Sequence, residues 1–320
     1  MQTPGLDEIE SAMRIVRTVM PLTPQYTWPL LNARAGCEVW VKHENHSPVG
    51  AFKLRGAMVY MDWLKRSQPS TGGVIAATRG NHGQGVALAA ARNGLKSTIV
   101  VPHGNSREKN RAMQALGAEL IEHGEDFQAA LDYATELAKT RGQHLVPSFH
   151  PLLVHGTSTY ALEFLKTAPA LDVAYVPIGL GSSICGMISV RNALGLKTKI
   201  VGVVAANAPA YAISFRERQP ISQTANSRLA DGLSCRVPVP EALELILANV
   251  DHIVEVSEEQ IAGAMRAYYE DTHNVAEGAA AAGLAGVLKE RDSLKGRRAG
   301  VVFTGGNVDR ELFLDALKTA

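Results

Sequence analysis

Ser47-Pro48-Val49-Gly50-Ala51-Phe52-Lys53-Leu54-Arg55-Gly56-Ala57 sets a lysine directly after an aromatic residue, among small and apolar neighbours, where a helix opens. A lysine in that position is ordinarily a solvated surface charge. Phe52, Leu54, Gly50 and Gly56 are poor company for one. Desolvation among them depresses the amine pKa and makes Lys53 a better nucleophile and base. Phe52 offers a face on which a planar ring can stack.

Downstream, Gly179-Leu180-Gly181-Ser182-Ser183-Ile184-Cys185-Gly186 follows the apolar run Val173–Ile178. A glycine turn between strand and helix presents unpaired N–H groups and a positive dipole end to a phosphate. The dinucleotide pattern requires glycine where Ile184 stands, and the P-loop Gly-Lys-Ser/Thr is absent. The turn therefore suits a single phosphate, or serves only as a tight connection. A second turn, Thr78-Arg79-Gly80-Asn81-His82-Gly83-Gln84-Gly85, opens a helix rich in alanine and glycine. Its N–H groups fit a carboxylate and Asn81 fits a ring hydroxyl; ordinary helix capping by Asn81 and His82 is the competing reading. Thr304, in Thr304-Gly305-Gly306-Asn307, either ends a strand or offers a hydroxyl to a ring nitrogen.

The chain has 320 residues, 46% hydrophobic and 20% charged, with net charge +1. That is an ordinary globular composition, with no electrostatic reason to expect nucleic acid or an anionic membrane as partner. Cys37, Cys185 and Cys235 are widely separated and odd in number, which argues against a disulfide framework or a zinc site and fits a reducing cytoplasm. Met1 to Thr18 shows helical spacing rather than a signal peptide, and no run of 18 apolar residues predicts a span.

Apolar runs alternate with helical segments, the pattern of βαβ units and a parallel sheet. Strands are expected at 37–42, 73–77, 97–101, 119–121, 173–178, 199–204, 252–256 and 300–304. Helices are expected at 83–92, 106–116, 127–140, 157–167 and 258–269, and Ala279–Ala282 reads as tight helix packing. The fold class is α/β, with residues 67–149 forming a small domain and residues 1–66 and 150–320 a larger one. Both glycine turns fall at the carboxyl edge of strands, where open parallel sheets bind ligands.

Together these segments resemble the fold-type II pyridoxal-phosphate (PLP) enzymes, most closely the serine/threonine dehydratase and serine racemase branch. The similarity extends from the Thr23-Pro24 region and Lys42-His43-Glu44-Asn45 through Phe149-His150-Pro151, Leu229-Ala230-Asp231-Gly232 and Val275-Ala276-Glu277-Gly278-Ala279 to Thr304–Asp309. It implies two three-layer α/β domains and PLP as cofactor. By that likeness Lys53 is the Schiff-base lysine, Phe52 packs on the ring and Asn81 bonds the 3-hydroxyl. Gly179, Leu180, Gly181, Ser182, Ser183 and on to Cys185 cradle the phosphate, Thr304 meets the pyridine nitrogen and Glu277 lies near the cofactor. Thr78, Arg79, Gly80, Asn81 and His82 hold the substrate carboxylate. The implied reaction is α,β-elimination of a β-hydroxy-α-amino acid to a 2-oxo acid and ammonia. The substrate is threonine, serine or a substituted serine such as 3-hydroxyaspartate or phenylserine. A homodimer is expected on the same ground. With no segment after Ala320, no allosteric domain of the biosynthetic deaminase kind is expected.

Three departures narrow the expectation. Arg79 stands where serine racemases place an acid/base serine, and a guanidinium does not give up its proton. Racemisation is therefore the alternative rather than the leading reading, with a non-catalytic PLP-binding protein as a third. Arg79 either recognises a second substrate carboxylate or forms a structural ion pair. Val204–Ala210 carries no acidic side chain where metal-activated relatives hold a divalent cation, so no metal site is expected there. Thr157-Ser158-Thr159 replaces a more usual Gln-Gly-Thr and is expected to reshape side-chain selectivity.

Overall fold

A computed structural model describes residue 1 and residues 3–318. The first half runs α1 (Leu6–Val16), β1 (Gln25–Thr27), α2 (Pro29–Ala35), β2 (Glu38–His43), α3 (Lys53–Ser67), β3 (Gly73–Ala77), α4 (Asn81–Arg92), β4 (Lys96–Val101), α5 (Arg107–Ala115), β5 (Glu119–Glu122), α6 (Phe127–Arg141) and β6 (His144–Leu145). It continues as α7 (Pro151–Thr167), β7 (Val173–Pro177), α8 (Ser182–Ala193), β8 (Lys199–Ala205), α9 (Ala210–Glu217), α10 (Pro240–Asn249), β9 (His252–Val256), α11 (Glu258–Thr272), α12 (Gly278–Lys289), β10 (Arg298–Phe303) and α13 (Arg310–Lys318).

Two sheets result. One has six strands in the order β1-β2-β10-β7-β8-β9, the other four in the order β5-β4-β3-β6. Among the described strands only β1 pairs antiparallel, with β2, and the other strand pairings are parallel. Parallel strands need helices on both faces, and the side-chain alternation supplies them. Val301 and Phe303 of β10 join the core under α11 and α12, whereas Val302 points to the core under α7, α8 and α10. Around the smaller sheet, Val74 and Ala76 pack toward α3 and α4, while Ile75 and Ala77 pack toward α6. This is the expected α/β class with three-layer packing.

The eight anticipated strands all occur, within two residues at each end. β1 and β6 escaped notice because three and two residues are too few to show a period. Helix α7 starts at Pro151, not at 157, because proline suits the first helical position and His150 Nδ1 accepts the Leu152 N–H as a cap. The three cysteines are buried and free. No described helix is long and apolar enough to cross a membrane.

Helices α3 and α7 touch at glycine. A Cβ on Gly56 would sit 2.8 Å from the Leu153 carbonyl oxygen, and one on Gly156 would run into the Arg55 backbone. Such a crossing brings the start of α3, and with it Lys53, close to the layer containing α7 and α8.

Candidate active site

Residues 49–52 are zipped to residues 304–307. Ala51 bridges Gly305, the Phe52 N–H donates to the Thr304 carbonyl at 3.0 Å, and the Gly306 N–H donates to the Gly50 carbonyl at 2.9 Å. Asn307 Nδ2 also donates to the Val49 carbonyl at 2.8 Å. This bracket sets Thr304, at the end of β10, next to the residue that precedes Lys53. The Thr304 hydroxyl is largely buried and makes no hydrogen bond among the described residues.

Lys53 is the first residue of α3. Its Nζ lies 4.9 Å from the centre of the Phe52 ring and 3.5 Å from Ser182 Oγ, to which it donates. Burial pushes the amine down to about 8, with the charge of Glu277 pulling the other way. A half-buried amine brought down toward neutrality is what a nucleophile and base requires.

Ser182 opens α8, capped by Gly181, whose φ of +102° favours glycine. A Cβ on Gly181 would also stand 2.8 Å from Ala242 Cβ. The first described intrahelical bond is from the Cys185 N–H to the Gly181 carbonyl, so the N–H groups of Ser182, Ser183 and Ile184 are left for a ligand. The turn is held from behind. Tyr160 OH lies 2.7 Å from Ser183 Oγ, Tyr211 OH donates to the Leu180 carbonyl at 3.0 Å, and Thr157 Oγ1 donates to the Ser182 carbonyl at 2.9 Å. The hydroxyls of Thr157, Ser158 and Thr159 all donate to backbone carbonyls of α7, and that of Thr157 also to the α8 turn.

The α4 turn differs from its expected use in one respect. Thr78 Oγ1 accepts from the Gly80 and Gly83 N–H groups, at 3.0 and 3.3 Å. Thr78 thus shapes the turn, and the N–H groups of Asn81 and His82 remain for a carboxylate. Asn81 Nδ2 donates to Glu277 Oε1 at 2.6 Å, and its Oδ1 accepts from Asn307 Nδ2 at 2.9 Å. His82 is buried, its Nε2 has no partner, and burial beside the Lys53 charge pushes it down to about 3, so the ring is neutral. Arg79 is exposed and forms no ion pair or hydrogen bond among the described residues. The structural ion pair considered for it is therefore not formed.

Glu277 is buried at the start of α12, and its Oε2 also lacks a hydrogen-bond partner. Burial raises its carboxyl to about 7, against the pull of Lys109. Lys109 was not singled out from sequence. Its Nζ donates to Asp231 Oδ2 at 2.8 Å and lies 3.8 Å from Glu277 Oε2. No group of three His, Cys, Asp or Glu among the described residues is placed to hold a metal ion.

Unbonded N–H groups at two helix starts, a free hydroxyl and two orphaned buried polar atoms surround one amine. Buried polar groups without partners call for a ligand that completes them. The sequence from Arg17 to Gly305 matches the family described as pyridoxal-phosphate dependent enzyme. The chain belongs to that family. Among relatives, an L-threonine ammonia-lyase of Thermotoga maritima is 34% identical over 305 residues, covering 95% of this chain and 76% of that protein. The L-threo-3-hydroxyaspartate ammonia-lyase of Saccharomyces cerevisiae is 31% identical over 314 residues, covering 98% and 96%. The solved structure of maize serine racemase has a TM-score of 0.91 at 25% identity, covering 99% of this chain and 97% of that one. The chain spans 56–60% of the length of the biosynthetic L-threonine dehydratases it matches. These residues fit PLP: its phosphate would complete the unbonded N–H groups of the α8 turn, its ring nitrogen would meet the Thr304 hydroxyl, its hydroxyl the Asn81 N–H not given to Glu277, and its aldehyde the Lys53 amine.

Proposed function

We propose that the protein is a PLP-dependent ammonia-lyase that converts a β-hydroxy-α-amino acid to a 2-oxo acid and ammonia. The observation that carries this is Lys53, an amine held near neutral pKa between Ser182 of the α8 turn and the Thr304 bracket. When bound, PLP supplies an aldehyde that condenses with amines and an electron sink for the pair left at the substrate α-carbon.

The chain's own residues do the remainder. The N–H groups of Ser182, Ser183 and Ile184 bind the phosphate and orient the cofactor. Those of Asn81 and His82 bind the substrate carboxylate at a turn that Thr78 holds rigid. Lys53 Nζ, standing as a free amine beside the substrate, would take the α-proton. The β-hydroxyl takes up a proton and leaves as water, and hydrolysis of the remaining enamine yields the 2-oxo acid and ammonia. Thr304 offers the ring nitrogen a neutral hydroxyl, which protonates it less than a carboxylate would and favours prompt elimination.

Threonine, serine and 3-hydroxyaspartate form the substrate class, and phenylserine belongs in the same panel. Arg79, unpaired beside the carboxylate turn, favours substrates with a second carboxylate. Racemisation is the second reading, supported by the likeness to maize serine racemase. It is disfavoured because Arg79 cannot act as the opposite-face base. A cytoplasmic homodimer is proposed, with residues 1–66 and 150–320 carrying the six-stranded sheet and residues 67–149 the four-stranded one.

Keto-acid release across threonine, serine, threo- and erythro-3-hydroxyaspartate and phenylserine tests the reading, with chiral analysis of recovered substrate. Keto acid in excess of the inverted enantiomer is expected. Inversion without keto acid would establish the racemase, and neither product would leave a PLP-binding protein without turnover.

A further inference from the structure

Buried Lys109 and Glu277, with half-buried Asp231, form a charged set to which the reaction as derived gives no task. Lys109 comes from α5, over the four-stranded sheet. Asp231 lies in the short helical turn Asp231–Leu233, and Glu277 starts α12. The lysine stem runs under the substrate turn, so closely that a Cβ on Gly80 would collide with it. Its Nζ is 2.8 Å from Asp231 Oδ2 and 3.8 Å from Glu277 Oε2. Glu277 Oε1 is taken by Asn81, whereas Oε2 is buried with no hydrogen-bond partner.

The charges facing Glu277 come from several elements. Lys109 on α5 and Lys53 on α3 draw it toward the carboxylate; Asp231 opposes ionisation. Asp309, after β10, acts on Lys109 in turn. Asn81 on α4 is neutral, and so is the Gly305 carbonyl that accepts the Glu277 N–H.

We propose that Lys109, held by Asp231, is a positioning residue that sets the charge on Glu277 and thereby decides how readily Lys53 Nζ stands as a free amine. This rests on the reading of Lys53 as the base of the reaction. Charges within about 4–6 Å shift a carboxyl by about 1–3 pH units, and a group already close to neutrality is switched by less than that. Glu277 is the one charge acting on Lys53 against burial. A carboxylate at Glu277 holds the ammonium, and a carboxylic acid there releases the amine. Because Lys109 belongs to α5 and its partners to the other sheet's helices, the control exists only while α5 is seated against them.

The test is the carboxyl carbon-13 titration of Glu277, assigned by its loss in E277Q, with and without PLP. The pH dependence of kcat/KM is measured beside it. K109M removes the attracting charge, so the Glu277 midpoint should rise by about one pH unit or more. D231N removes the opposing charge and frees Lys109 for Glu277, so the midpoint should fall. K109R should stay near wild type. If K109M does not fold, the fall in D231N and the retention in K109R carry the same sign test. Shifts of both variants in one direction, or none, would overturn the proposal. So would moving midpoints with an unmoved acidic limb of kcat/KM, since that cuts the link to Lys53. The carboxyl titration needs no turnover, so a failure of the ammonia-lyase reading and a failure of this proposal give different results.

Discussion

Lys53 and Arg55 are two residues apart on the first turn of α3, yet they belong to buried charge clusters of opposite character. Positions so spaced do not share a helix face, so each looks into a different layer. Arg55 is fully buried and saturated. It is bidentate to Glu44 at 2.7 and 3.0 Å and to Glu163 at 2.9 and 2.9 Å, and it also reaches Thr159 and Thr23. Lys42 adds a 2.7 Å bond to Glu163, and Arg17 another at 2.9 Å. Burial opposes the Arg55 charge, but the two carboxylates outweigh it and raise its pKa further. The Lys53 cluster is left short: Glu277 Oε2 and His82 Nε2 are orphans, and the amine has one long contact. The difference separates scaffold from site. A satisfied cluster ties α1, β2, α3 and α7 together, whereas an unsatisfied one keeps its free energy for a ligand.

Breaking the satisfied cluster should have the largest effect on the fold. R55M leaves Glu44 and Glu163 buried without their main partner and should cost about 3–5 kcal/mol in denaturant unfolding. A loss below about 1 kcal/mol would mean the cluster is not the clamp described. The unsatisfied cluster should respond with the opposite sign. The folded pKa of Glu277 lies near 7 against an ordinary 4.5, so its charge opposes the fold. That penalty is absent below about pH 4.5, grows as pH rises and is complete above pH 7, amounting to about 3 kcal/mol. In the ligand-free protein, E277Q should therefore be stabilising at pH 8 and neutral at pH 4.5. Equal effects at both pH values would contradict the assignment.

R79A probes the rim of the same site. It should lower kcat/KM on 3-hydroxyaspartate by about 10–100-fold, through loss of a charge-assisted pair, while changing threonine by less than about threefold. An equal drop on both substrates would remove the second-carboxylate role. Smallest of all, EDTA should leave turnover unchanged; a loss restored by Mg²⁺ would place a cation where the Val204–Ala210 stretch gives no acidic ligand.

The same contrast explains what the sequence made legible. Parallel strands buried on both faces read as apolar runs, so β7 and β3 stand out, while Gln25–Thr27 and His144–Leu145 carry too few residues to do so. The parts of the site whose chemistry is local were readable: a lysine after Phe52, and glycines before Ser182 and Asn81. Thr78 misled in part, since a hydroxyl that closes its own turn looks in sequence like one that meets a substrate. Lys109 and Asn307 gave no signal of their roles, because those roles depend on partners 122 and 226 residues away. Asp231 sat within a stretch that carried family likeness without a task attached. Arg55 was in view beside Lys53, but nothing short of the folded chain reveals that Glu163 lies against it.

The account depends on covalent attachment at one nitrogen. Incubation with PLP, reduction with borohydride and peptide mapping should place the label on the peptide bearing Lys53, with none in K53A. A label on any other lysine, or no label in the wild-type protein, would contradict it.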